Sequence, residues 1–162
     1  MIRRPFAVLT VAAALLAVVA APAEGAISLR LGSPDLIRRV AIQVPVYVSC
    51  SPFDASLTHY ASEISVSVMQ AAGTSIARGS GLTYGSTTSS LPLPYLCDGA
   101  EHLVPVSVSA TTPGPPFHGG WAVFTVRATA FAGMPCFPGS TGCFMNLQQN
   151  SGSLGPTEAA LR

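Results

Sequence analysis

Lysine is absent from this 162-residue chain, and charged residues of all kinds make up only 9% of it. Eight arginines stand against seven acids, for a formal net charge of +1 at pH 7. Arg3 and Arg4 lie in a segment that reads as a removable leader (below). Without it, six arginines (Arg30, Arg38, Arg39, Arg78, Arg127 and Arg162) face seven acids and the balance turns slightly negative. That balance gives no electrostatic case for nucleic acid or for an anionic membrane, and neither is expected as a partner. Surface polarity has to come from Ser, Thr and Gln instead.

Other absences narrow the chemistry. No CxxC pair, zinc-ribbon spacing or HExxH helix occurs, so no zinc site is expected. No DxDxDG-like run offers the clustered oxygens that calcium needs. No cofactor is called for by any motif. GxSxG is missing, and SxxK cannot exist without lysine. The three histidines, His59, His102 and His118, fall in a loop, at a strand start and beside a diglycine turn, where they read as surface or turn residues rather than bases. A glycosidase needs two carboxylates across a sugar. Asp98 and Glu101 instead flank a turn, and Glu63 opens a strand on its outer face. No Asn-x-Ser/Thr sequon occurs. Apolar residues do not recur at helical spacing beyond the leader, the best exception being a short helical turn over Ser33–Arg38.

What is present begins with Arg3-Arg4, an apolar run from Phe6 to Val19, and Ala21-Pro22-Ala23. A basic start, an apolar segment of this length and small residues after it describe a helical signal peptide, cut between Ala23 and Glu24, with Ala26 as the second choice. The alternative is a retained anchor, but the run is shorter than the ~20 residues that span a bilayer comfortably. No cysteine follows the apolar run to accept lipid, and no second long apolar segment follows. The expectation is a secreted, extracellular chain with no membrane span after cleavage.

Export makes the four cysteines, Cys50, Cys97, Cys136 and Cys143, candidates for two disulfides. Three pairings exist in principle. Cys136 and Cys143 bracket the turn-forming Phe-Pro-Gly-Ser-Thr-Gly, which pairs them with each other and leaves Cys50 with Cys97.

The rest reads as strands and turns. From Val40 to Cys50 the even positions Ile42, Val44, Val46 and Val48 are apolar, with Pro45 outward and arguing for an edge or bulged strand. Glu63–Gln70, His102–Val108 and Gly120–Phe131 repeat the alternation. Ala26–Leu31, Ser75–Ala77 and Cys143–Gln148 are shorter candidates. Gly79-Ser80-Gly81 and Gly85–Ser90 have loop composition, Leu91-Pro92-Leu93-Pro94 excludes a central strand, and Asp98-Gly99 signals a turn. The fold class is therefore all-β, an antiparallel sandwich of about seven strands. Residues 1–23 form the signal peptide, 24–149 the sandwich domain and 150–162 a flexible tail.

Several local patterns line up in order: Val46-Tyr47-Val48-Ser49-Cys50, Ile64-Ser65-Val66-Ser67-Val68 with Gln70, Ile76-Ala77-Arg78-Gly79-Ser80-Gly81, Cys97-Asp98-Gly99, Val104-Pro105-Val106-Ser107-Val108 and Phe117-His118-Gly119-Gly120, followed by Cys136 and Cys143. Over residues 40–145 this order resembles small secreted immunoglobulin-like proteins of actinobacteria, most of them uncharacterised. The resemblance implies an immunoglobulin-like sandwich, a bridge from the first cysteine to the Cys-Asp-Gly turn and a second bridge near the end. It carries over no catalytic residues. Trp121 falls late and the cysteine spacing is short for an ordinary immunoglobulin domain.

The functional expectation is a non-enzymatic module that touches envelope material or another protein. Alternation turns Tyr47, Met69, Leu103 and Trp121 outward, and were they to meet on one sheet they would form an apolar contact patch. Scattered positions, or cover from the proline-rich loops, would leave no patch. Two alternatives are a hydrolase of unfamiliar type in which His118 and Asp98 converge, and a protease inhibitor presenting Pro138 or Ser140 on the Cys136–Cys143 loop.

Overall fold

The computed structural model describes residues 26–136 and 144–162. The leader, the cut after Ala23, and Cys143 with the loop before it lie outside the described residues. Eight strands follow in order: β1 (Ile27–Leu31), β2 (Asp35–Ile37), β3 (Ala41–Cys50), β4 (His59–Ala72), β5 (Ser75–Ser86), β6 (Glu101–Ala110), β7 (Gly120–Pro135) and β8 (Phe144–Leu161). They make one antiparallel sheet ordered β1-β3-β6-β5-β4-β7-β8, with β2 also on β3.

The sheet folds over where β5 meets β6, a junction held by only Gly79↔Ala110 and Ser80↔Ser109. It nearly closes where Ala26 bridges Ser151 of β8 in parallel. The result is a sandwich-like, almost closed barrel. Ile42, Val44, Val46 and Val48 of β3, Ile64, Val66 and Val68 of β4, Val104, Val106 and Val108 of β6 and Phe124 and Val126 of β7 fill its interior. Each such side chain contributes about 1.5–3 kcal/mol by leaving water. Loops close the ends: Phe117 is fully buried at one, Leu57 and Tyr95 at the other.

Cys50 and Cys97 are bonded, as the sequence indicated, with Gly99 donating its N–H to Cys50 O. The Asp98 turn forms as read, with Gly99 at φ +86° and Ala100 N–H donating to Asp98 Oδ1 at 2.9 Å.

Four expectations need correction. The Ser33–Arg38 turn is not helical: β2 pairs with β3, and a three-residue turn over 38–40 joins paired Ile37 and Ala41, with Arg38 and Arg39 at φ 50° and 63°. Pro45 is not on an edge, because β3 pairs with β1 and β2 on one side and β6 on the other. Pro45 lies where β1 has ended and β2 has not begun; its carbonyl accepts from Gly32 N–H, and its missing N–H falls in that gap. The glycines of β5 are strand, not loop. A Cβ on Gly79 would stand 2.5 Å from Ser109 O, and one on Gly81 would overlap Ser107 O, so bare backbone is what lets β5 cross β6.

The fourth correction concerns the tail. Residues 150–161 are no loose end but the second half of β8, pairing with β7 as far as Gly120↔Leu161. The alternation is hidden by a register shift that places Gly155-Pro156 opposite Thr125. Asn150 and Leu161 are both buried. The domain thus extends to Leu161.

Candidate functional site

The barrel has two ends. At the disulfide end sit Cys50–Cys97, the start of β6 and the start of β4. At the hairpin end sit the β2–β3 and β4–β5 turns, the loop from β6 to β7 and the last residues of β8. Strand β6 runs between them from Glu101 to Ala110, a span of roughly 30 Å at ~3.3 Å per residue.

That separation decides the first candidate. Asp98 belongs to the disulfide end, where its Oδ1 lies 2.8 Å from His102 Nε2. His118 belongs to the hairpin end, where its Nδ1 and Nε2 lie 2.7 and 2.8 Å from the carbonyl oxygens of Gly119 and Ala71. The two do not converge, and both ring nitrogens of His118 are held by main-chain oxygens rather than presented to a substrate. His59 Nδ1 contacts its neighbour Thr58 Oγ1 at 3.0 Å, a local turn contact.

Hydrogen bonding favours the charged form of two exposed acids. Contact with His102, then the Ala100 N–H, holds Asp98 below the usual carboxylate range. The Ser56 N–H does the same for Asp54. Burial, and to a smaller extent Glu63, pushes the Tyr95 phenol well above its ordinary value. Its hydroxyl is buried without a hydrogen-bond partner among the described residues.

The four outward residues form two pairs, not one patch. Tyr47 faces Leu103 across β3 and β6. Arg30 lies over the Tyr47 ring at 3.7 Å while its guanidinium reaches both carboxylate oxygens of Glu101, at 2.9 and 3.1 Å. Met69 and Trp121 stand on the β4–β7 wall, Met69 opposite Val123 and Trp121 two residues before it. Between the pairs runs β5, and the β4–β7 wall itself continues from Met69 into a polar trough of Ser65, Ser67, Thr125 and Arg127.

Sequence reasoning missed one further feature. A mostly apolar groove of about 260 Å³ opens on the disulfide end between Tyr60, Tyr84, Phe131 and Leu147. Tyr84 was hidden because the glycine-containing segments on either side of it, Gly79-Ser80-Gly81 and Gly85–Ser90, read as loop. Cys136 is not a free thiol, but its expected partner, Cys143, and the loop carrying Pro138 and Ser140 lie outside the described residues. No group of three or more His, Cys, Asp or Glu able to hold a metal occurs among the described residues. No helix among them is long and apolar enough to cross a membrane.

Compared with known proteins, the chain matches no family model, and no curated protein or solved structure is significantly similar to it.

Proposed function

We propose that this chain is an exported, non-enzymatic module of immunoglobulin-like type that works by surface contact with envelope material or another protein. The observation that carries the reading is the wide separation of Asp98 and His118 at opposite ends of a packed barrel. No described Asp, Glu, Arg or His is buried, while the interior is mostly valine, isoleucine, alanine and phenylalanine. The wall strands turn most of their serine and threonine outward, which suits a presenting scaffold.

The same reading takes the leader as cleaved before Glu24 and adds a second bridge between Cys136 and Cys143 to the observed Cys50–Cys97 bond. The strand order, β1-β3-β6 on one wall and β5-β4-β7-β8 on the other, with Ala26 just before β1 bridging β8 in parallel, supports the immunoglobulin-like assignment.

The test is a pull-down with the exported protein from the culture that produces it, run beside a panel of ester, peptide and glycoside substrates. Retention of one envelope component without turnover supports the reading. Turnover that survives repurification would overturn it.

A further inference from the structure

The chain's near-zero net charge conceals a strong asymmetry. Of six described arginines, Arg38, Arg39, Arg78 and Arg162 lie at the hairpin end. Hydrogen bonds trace how they meet. Val40, next to Arg39, accepts from Ala110 N–H, and the following Thr111 N–H donates to Arg78 O, so Arg78 lies one strand from the turn. On the other side Leu36 N–H donates to Arg162 O. Two carboxylates, Asp35 and Glu158, share this end. Toward the disulfide end are Asp54, Glu63, Asp98 and Glu101, with Arg30 already engaged by Glu101. The barrel is therefore basic at one end and acidic at the other.

Two more observations single out the basic end. First, Arg38 and Arg39 both hold positive φ, a backbone state that Asn-Gly adopts easily and that disfavours a residue with a long side chain. Backbone strain retained at an exposed tip points to use rather than stability. Among the described residues the guanidinium groups of Arg38, Arg39 and Arg78 have no ion-pair or hydrogen-bond partner. Second, exposed apolar side chains stand beside them. Ile37 and Val40 flank the arginine pair, Val40 at 62% exposure, and Ile76 follows the β4–β5 turn. Trp121, at 70%, opens β7 across from Ala160.

We propose that the hairpin end is a docking face for an anionic lipid surface. Unpaired guanidinium groups match phosphodiester headgroups. Tryptophan, with an apolar body and one N–H, settles at headgroup depth, and isoleucine and valine tips enter the acyl boundary. A soluble polyanion would satisfy the arginines but would leave Ile37, Val40, Ile76 and Trp121 in water; the apolar half of the feature selects a membrane. The acidic far end then points away from the surface, and the molecule binds in one orientation. The proposal rests on the reading of this chain as a contact module, and it replaces the expectation drawn from net charge, because only the local field matters within a Debye length.

Trp121 is the chain's single tryptophan, so its emission reports on the face itself. The protein secreted by cells expressing the full chain is mixed with phosphatidylcholine vesicles and, separately, with vesicles containing phosphatidylglycerol. The expected result is sedimentation and a blue shift of Trp121 emission with the anionic vesicles only, weakened by salt. Replacing the turn with the residues that favour it, Arg38→Asn with Arg39→Gly, keeps the hairpin and should weaken binding roughly 30-fold, at about a headgroup interaction's worth per arginine. Arg127→Gln, on the wall, should leave binding unchanged. Equal binding to neutral vesicles, or equal binding by the turn variant, would overturn the proposal. So would binding of soluble polyphosphate with no emission shift. A retained protein partner in the pull-down with no vesicle binding would remove this proposal and leave the contact-module reading standing.

Discussion

The side chain of Gln70 holds the backbone of His118 from both sides. Its Oε1 accepts the His118 N–H at 2.9 Å, and its Nε2 donates to the His118 carbonyl at 2.7 Å. Gln70 points inward from β4 and is buried, so the pair fixes the β6–β7 loop over the hairpin end and keeps Phe117 in the core. Replacing Gln70 with Leu should leave two main-chain groups unsatisfied. The expected loss is roughly 2–6 kcal/mol, at ~1–3 kcal/mol per orphaned group, read by urea denaturation. A loss under about 1 kcal/mol would show that the loop is held by Phe117 alone.

Tyr95 offers the opposite case. Its hydroxyl is buried and unpaired, so removing it should do no harm. Tyr95→Phe is expected to be neutral or stabilising by up to about 1 kcal/mol. Burial holds the folded phenol above its ordinary value of 10. Below that pH it is neutral in both states; as pH rises past it, the unfolded chain ionises while the buried phenol resists, and the fold loses stability. Alkaline unfolding of the Phe variant should therefore move to higher pH. An unchanged alkaline midpoint together with a clear loss of stability would contradict the unpaired hydroxyl.

The Arg38-Arg39 turn connects stability to the docking face. Two non-glycine residues at φ 50° and 63° carry a backbone penalty. Arg38→Asn with Arg39→Gly should stabilise the fold by roughly 1–2 kcal/mol and raise the thermal midpoint. A lower midpoint would mean that the arginine side chains themselves hold the hairpin.

Asp98 gives a pH-dependent test at the other end. Its folded pKa is lowered by His102 and the Ala100 N–H from the ordinary 3.8. What the contact adds is present above that value and disappears as pH falls through the lower folded one. Carbon-detected NMR should place the Asp98 midpoint below 3.8, and His102→Ala should move it upward. A midpoint unaffected by that substitution would remove His102 as the cause.

Much of the scaffold was legible because burial writes a period of two into valine and isoleucine. Strands β3, β6 and the central part of β4 follow that pattern almost residue for residue. It fails where backbone geometry outweighs side-chain pattern. In β5, Gly79 and Gly81 occupy places where a Cβ would strike β6, so glycine there marks contact rather than looseness. In β8 the bulge opposite Thr125 shifts the alternation, and the strand read as a tail. In β2 only three residues pair, too few to show a period.

The candidate surface was less legible, for a different reason. Alternation correctly turned Met69 and Trp121 outward, but which outward residues become neighbours depends on strand order, which no local pattern states. Tyr47 and Leu103 went to another wall. Total charge hid the arginine cluster, because summation discards position: Arg39 and Arg78 are far apart in sequence and adjacent only through Thr111.

Peptide mapping of the protein recovered from the culture medium by mass spectrometry, without reduction, tests the account most directly. The proposed export predicts an N-terminus at Glu24 and a linked peptide joining Cys136 to Cys143, and the structure predicts one joining Cys50 to Cys97. Four free thiols, or Cys50 linked to Cys136 or Cys143, would contradict it.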